Sequence, residues 1–259
     1  MTPFAGHRTV SHLRRRARAV ACVALAALLS AHCSKLPTAS FPPGGNPRVL
    51  FVGNSLTFTN NLPAMYTILA RSMGNDSLSV ASIAYANFAL EDHWSEGSAR
   101  RVMGETPWNF VILQQGSSAL VASQQNLRTW TERFAPVIRA AGAEPVLYMV
   151  WPTREEQDDF PDVLSSYRAA TQAVGGIFAP AGDAWTAFGD RTTMYGSDGL
   201  HPSVIGTYQA ALVLLERTLG IRPSSLPPVI PGAVVDSLLV RSLQQAAQTA
   251  LDRNPARPQ

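Results

Sequence analysis

Five short apolar runs, each followed by a stretch of helical periodicity, constrain the fold of this chain more than any other feature. The runs are 48–53 (RVLFVG), 78–84 (LSVASIA), 109–114 (NFVILQ), 145–151 (PVLYMVW) and 176–179 (GIFA). They are nearly continuous instead of alternating, which is the pattern of strands covered on both faces. Apolar residues then recur at helical spacing over 62–73, 95–103, 124–141, 161–174 and 202–219. Alternation of this kind predicts a three-layer α/β/α fold around a five-stranded parallel doubly wound sheet, in flavodoxin-like order. Such sheets bind ligands beyond the carboxyl ends of their strands, where the strand order reverses.

The 259 residues suffice for one domain of this type, placed at 48–220. Residues 221–259 open with Pro223, Pro227, Pro228 and Pro231 and resume as an amphipathic segment over 234–251, read as a last helix packing on the domain. A single domain of this size is expected to act as a monomer.

The N-terminal forty residues differ from the rest. Arg8, Arg14, Arg15, Arg16 and Arg18 form a basic patch without an acid, and 19–30 is almost unbroken in its apolarity. That is the length of a signal-peptide core and too short to span a bilayer, so 1–33 reads as a signal peptide. Its end, Leu29-Ser30-Ala31-His32-Cys33, resembles a lipobox; simple cleavage and lipidation of Cys33 both stay open, and a lipid there would be the only tie to a membrane. Residues 34–47, rich in Ser, Pro and Gly, read as a linker. The expected location is outside the cytoplasm: periplasmic, on the outer membrane as a lipoprotein, or extracellular.

Loss of 1–33 takes the formal charge from +3 to about −2 and removes the case for a nucleic-acid partner. Both cysteines go with that segment, leaving no disulfide and no thiolate metal site in the domain.

Two short blocks carry chemistry. Gly53-Asn54-Ser55-Leu56-Thr57 follows the first run directly, placing a serine at the sheet edge with its backbone N–H near a helix start. Taken alone, a strand followed by Gly-x-Ser is also a phosphate-binding or structural turn. Ser197-Asp198-Gly199-Leu200-His201-Pro202 follows the last run; its acid and imidazole are three residues apart across a Gly, so the carboxylate can hold the ring in one tautomer.

Together the two blocks resemble those of the SGNH (GDSL-like) hydrolases, over about residues 48–220. The Gly-Asn-Ser-Leu form is similar to that of carbohydrate-esterase-like branches. The resemblance implies Ser55 as nucleophile, Asp198 and His201 as its partners, and an oxyanion hole including the Ser55 N–H. Tyr85 to Trp94 is similar to the family's Gly-x-x-Leu-x-x-His block with Asn87 at the Gly place, which implies the Asn87 N–H as a second donor. The family's third donor is an Asn side chain; here Gln114 and Gln115 stand at the end of the third run, on opposite sides by strand alternation, so only one can serve. Asn54 and Trp151 are the expected substrate contacts.

The expected activity is hydrolysis of short acyl esters, acetyl included, on carbohydrate or a small molecule, without metal or organic cofactor. Lipid esters, acyl transfer to a sugar, and a non-catalytic glycan-binding role on the same fold are the alternatives. His93, beside Glu91 and Asp92, reads as a hydrogen-bonded structural histidine, and 155–159 as a solvated acidic loop.

Overall fold

The computed structural model describes residues 47–258; the expected signal peptide, Cys33 and the expected linker up to residue 46 lie outside the described residues. The five strands are β1 (Arg48–Gly53), β2 (Ser79–Ala84), β3 (Phe110–Leu113), β4 (Glu144–Tyr148) and β5 (Ile177–Ala179), all parallel, in the order β2-β1-β3-β4-β5. This is the flavodoxin-like order. Val49, Leu50, Phe51, Val111, Val146 and Leu147 are fully buried, as near-continuous apolar runs require of strands covered on both faces.

The helices are α1 (Ser55–Phe58), α2 (Leu62–Ser72), α3 (Leu90–Glu96), α4 (Ser98–Glu105), α5 (Val121–Ala140), α6 (Phe160–Val174), α7 (Ala181–Phe188), α8 (Val204–Leu219) and α9 (Ser237–Arg253). Right-handed crossovers from β1 in both directions put α2 on one face and α3 to α6 on the other. The chain returns to the first face after β5, where α8 packs on α2, α7 and α9. The C-terminal segment therefore covers the domain as a helix.

Three differences from the sequence pattern have local causes. The single helix expected over 95–103 is two, α3 and α4, because Gly97 at φ 89° ends the first. β4 ends at Tyr148, and Met149 to Trp151 stay buried as irregular chain under the C-terminal loops. The apolar segment after β5 forms α7, packed so closely that a Cβ on Gly182 would stand 2.2 Å from the Val150 carbonyl oxygen.

The strand order reverses at β1 and β3, whose carboxyl ends are Gly53 and Leu113. Asn54, Ser55, Gln114 and Gln115 follow directly. Topology thus brings the first chemical block to the crevice where ligands bind in such sheets.

Candidate active site

Asn54 shapes the turn that carries Ser55. Its extended backbone places it as the N-cap of α1, where Oδ1 accepts from Leu56 N–H at 3.0 Å. Asn54 N–H donates to Gln114 Oε1, Gln114 Nε2 donates back to Asn54 Oδ1, and Thr57 Oγ1 donates to the same Oε1 at 2.7 Å. Gln114 Nε2 gives its other proton to the Gln115 carbonyl. Gly53 is required here, because a Cβ would lie 2.4 Å from both Gln114 Oε1 and Thr57 Oγ1.

This corrects two expectations. All four hydrogen-bonding positions of the Gln114 amide are used and the residue is fully buried, so it has no proton left for an oxyanion. Asn54 is buried too, with Nδ2 donating to the Phe88 carbonyl at 3.0 Å; it holds the turn and offers no surface to a substrate.

Gln115 points the other way, as alternation dictates. Its Oε1 accepts from Leu90 N–H and its Nε2 donates to Ser118 Oγ, which fixes the loop after β3 against the start of α3. It lines a neighbouring cleft and not the serine turn.

Asn87 lies in the turn Tyr85 to Phe88, closed by Phe88 N–H on the Tyr85 carbonyl. Its φ of 64° is the left-handed conformation that Gly adopts most freely and Asn tolerates best among the others. Neither its N–H nor that of Ser55 has a partner among the described residues. Two backbone donors thus remain free, on segments joined by the Asn54 to Phe88 hydrogen bond.

Beneath them His93 is fully buried. Its Nε2 donates to the Gly53 carbonyl at 2.7 Å, the carbonyl that also accepts from Tyr85 N–H. The ring stacks on Tyr85 and meets Phe88 edge-on. Burial lowers its pKa from 6.5, against weaker upward pulls from the Gly53 carbonyl, Glu96 and Asp92. The tie from the end of β1 to the segment after β2 makes its role structural.

The second block is a tight loop. Asp198 Oδ2 sits 2.6 Å from His201 Nδ1, while Oδ1 accepts from Leu200 and His201 N–H, each at 3.0 Å. The contact with His201, reinforced by those backbone donors, lowers the Asp198 pKa from 3.8 to about 2. The pair is exposed and contributes little to stability. An ionised carboxylate only accepts, so Nδ1 carries the proton and Nε2 presents a lone pair; Nε2 has no partner among the described residues, and no hydrogen bond joins it to Ser55 Oγ.

Trp151 holds this loop from below. It is 1% exposed, stacks on Trp185 at 3.6 Å, and donates its indole N–H to the Leu200 carbonyl at 3.1 Å. The expected substrate contact is therefore a buttress. Tyr195 OH on the Pro152 carbonyl and Arg154 N–H on the Gly199 carbonyl add to it. Asn60, five residues beyond Ser55, clamps the blocks together: its Nδ2 donates to the Pro202 carbonyl at 2.8 Å and to Thr207 Oγ1 at 2.9 Å. No sequence pattern links residue 60 to residue 202; a run of two asparagines after a short helix, both at positive φ, is the only hint.

No protein-family model matches the chain, and no curated protein does. Solved structures do. A Slackia heliotrinireducens protein assigned to the SGNH hydrolases is 28% identical, with a TM-score of 0.60 over 67% of this chain and 99% of its own. In fold and in both chemical blocks the chain resembles the SGNH hydrolases. A DUF4886 family protein from Bacteroides uniformis aligns at TM-score 0.63 and 18% identity, over 79% of this chain and 94% of its own. An acetylxylan esterase from Geobacillus stearothermophilus aligns at 0.51 and 14%, over 67% and 94%.

Proposed function

We propose that this SGNH-like protein is an exported serine esterase that removes short acyl groups, acetyl first among them, from carbohydrate. Ser55 is the nucleophile, His201 the base and Asp198 the group that orients it. The observation that carries the reading is the 2.6 Å contact between Asp198 Oδ2 and His201 Nδ1, which fixes the tautomer whose Nε2 can take a hydroxyl proton.

In this mechanism Nε2 takes the Ser55 proton as Oγ attacks the ester carbonyl. The oxyanion meets the free N–H groups of Ser55 and Asn87. Collapse expels the alcohol, which leaves with the proton from His201, and water repeats the sequence to release the acid. Each preorganised donor is worth about 100- to 1000-fold in rate, so two backbone donors without a side-chain amide support a working if modest hole.

The acetyl and carbohydrate part draws on the Gly-Asn-Ser form and on the acetylxylan esterase among the structural neighbours. A lipid ester is the second reading, favoured by Phe58, Leu200 and Val204, which leave 37–44% of their surface exposed on segments next to the two blocks.

The test is turnover of 4-nitrophenyl acetate, butyrate and octanoate, with and without Ser55→Ala, alongside a fluorophosphonate adduct located by mass spectrometry. Turnover and an adduct on Ser55, both lost in the variant and greatest for acetate, support the proposal. A maximum at octanoate moves it to lipid esters; equal background rates without an adduct remove the triad and leave a glycan-binding role.

A further inference from the structure

The candidate site is built from two halves that rest on different strands. The Ser55 turn is tied to the end of β3 through Gln114, and to the turn that holds Asn87 through Asn54. The Asp198–His201 loop is tied to itself and to the chain after β4: Gly196 N–H donates to the His201 carbonyl at 2.7 Å, the Trp151 indole to the Leu200 carbonyl, and Tyr195 OH to the Pro152 carbonyl. None of these contacts crosses from one half to the other. Among the described residues, the Asn60 side chain makes the only hydrogen bonds between 54–61 and 194–207.

The bridge is short. Asn60 is separated from Ser55 by α1 and lies in the 3-10 turn Thr59–Asn61 that follows it directly. On the other side Pro202 is the residue after His201. Thr207 stands in the first turn of α8, 1% exposed, with its hydroxyl donating to the Ser203 carbonyl. Both protons of the Asn60 amide are used, one on Pro202 and one on Thr207. An amide held at two points has one orientation, so it sets a separation and a direction together.

The backbone is bent where the bridge leaves it. Asn60 (φ 51°, ψ 18°) and Asn61 (φ 52°, ψ 57°) are consecutive left-handed residues. That conformation costs a residue other than Gly energy and persists where surrounding contacts over-determine it. Asn61 is held by capping α2, its Oδ1 accepting from Ala64 N–H. The Asn60 side chain caps no helix, and its hydrogen bonds are those to Pro202 and Thr207.

We propose that Asn60 is a positioning residue for acyl transfer: it fixes where His201 Nε2 stands relative to Ser55 Oγ, while Asp198 fixes the tautomer. The inference rests on Ser55 and His201 being nucleophile and base. A misplacement on the order of 1 Å can cost about 100-fold in such a step, so loss of the bridge acts on kcat and leaves substrate binding in place.

The experiment measures kcat and KM on 4-nitrophenyl acetate, and the rate of fluorophosphonate labelling, for the full chain and for Asn60→Gly and Asn61→Gly. Glycine accepts the positive φ, so each variant removes a side chain without adding backbone strain. Asn60→Gly lowers kcat and the labelling rate together by about 10- to 100-fold, with KM within about threefold. Its melting temperature stays within about 4 °C of the wild type, as expected for exposed hydrogen bonds. Asn61→Gly, which loses a cap and keeps the bridge, holds kcat within about twofold. Nitrogen NMR of the His201 ring finds the proton still on Nδ1 in Asn60→Gly, which separates lost position from lost tautomer.

An Asn60→Gly protein as fast as the wild type, an equal fall in Asn61→Gly, a rise in KM alone, or a proton moved to Nε2 overturns the proposal. A wild type that neither turns over nor labels removes the esterase reading and this inference with it. A wild type that does both, beside an unaffected Asn60→Gly, overturns this inference alone.

Discussion

Asn54 and Gln114 exchange two hydrogen bonds, Asn54 N–H to Gln114 Oε1 and Gln114 Nε2 to Asn54 Oδ1, each 2.9 Å long. The pair joins the serine turn to the end of β3, and Asn54 Nδ2 carries the connection on to Phe88 and the turn that holds Asn87. An aspartate at 54 could accept in this circuit but could not donate to Phe88. The Asn in this block and the Gln at 114 are thus complementary choices.

Gln114→Leu leaves the Asn54 N–H and the Thr57 hydroxyl without partners in a buried site, at about 1–3 kcal/mol each. The expected loss is roughly 2–4 kcal/mol in denaturant unfolding, accompanied by a fall in kcat as the turn loosens. A 100- to 1000-fold fall in kcat at unchanged stability would mark Gln114 as an oxyanion donor after all.

Asn87 tests the second donor through its backbone alone. Asn87→Gly keeps both the φ of 64° and the N–H, so kcat should stay within about twofold. Asn87→Val pays for a left-handed residue, about 1–2 kcal/mol, or flips the turn and withdraws the N–H. Single-turnover acylation rates on an activated ester, read with thermal melts, separate the two; a valine variant as fast as the asparagine one would remove Asn87 from the oxyanion hole.

The sheet, its order and the tight Asp198–His201 block were legible because each follows from local pattern: continuous apolar runs, helical spacing, and an acid three residues before an imidazole. Trp151 and Gln114 were not, for a shared reason. Gln114 follows β3 directly and Trp151 lies three residues past β4, where the strand pattern no longer tells what a residue meets. Trp151 meets Leu200 and Trp185, and Gln114 meets Asn54, through contacts 34 to 60 residues away in sequence. A polar residue at a strand's carboxyl end reads as a site contact from sequence and becomes internal bracing once the loops close over it.

Asp198→Asn offers Nδ1 an amide that can donate, which permits the tautomer with its proton on Nε2. Stability should hardly change, because the pair is exposed, while kcat falls by about 10³- to 10⁴-fold. Steady-state kinetics on 4-nitrophenyl acetate with an unfolding curve check both halves; a loss under tenfold would show that Asp198 does not set the tautomer.

Trp151→Phe keeps an aromatic ring against Trp185 and removes the indole N–H from the Leu200 carbonyl. One lost hydrogen bond costs about 1 kcal/mol. The loop it held carries His201, so kcat should fall several-fold with KM little changed. A variant that raises KM alone would make Trp151 a substrate contact.

His93 predicts the pH dependence of stability. Its Nε2 proton is committed to the Gly53 carbonyl and its buried Nδ1 has no partner, so a second proton would bring a charge into the core with nothing to receive it. Burial therefore holds the native pKa below the ordinary 6.5. Below pH 6.5 the unfolded chain binds a proton that the native protein refuses, and stability falls as the pH falls. The contribution is complete above 6.5 and is lost on acidification toward the native pKa, with a slope approaching ~1.4 kcal/mol per pH unit. Asp198 has the same sign but acts between 3.8 and about 2, and its exposure makes the effect small. Melting curves between pH 7.5 and 5 should show a decline in the wild type that is shallower in His93→Gln, whose amide can still donate to Gly53 but does not titrate. Parallel curves for the two proteins would mean that His93 takes up its proton without opening the fold.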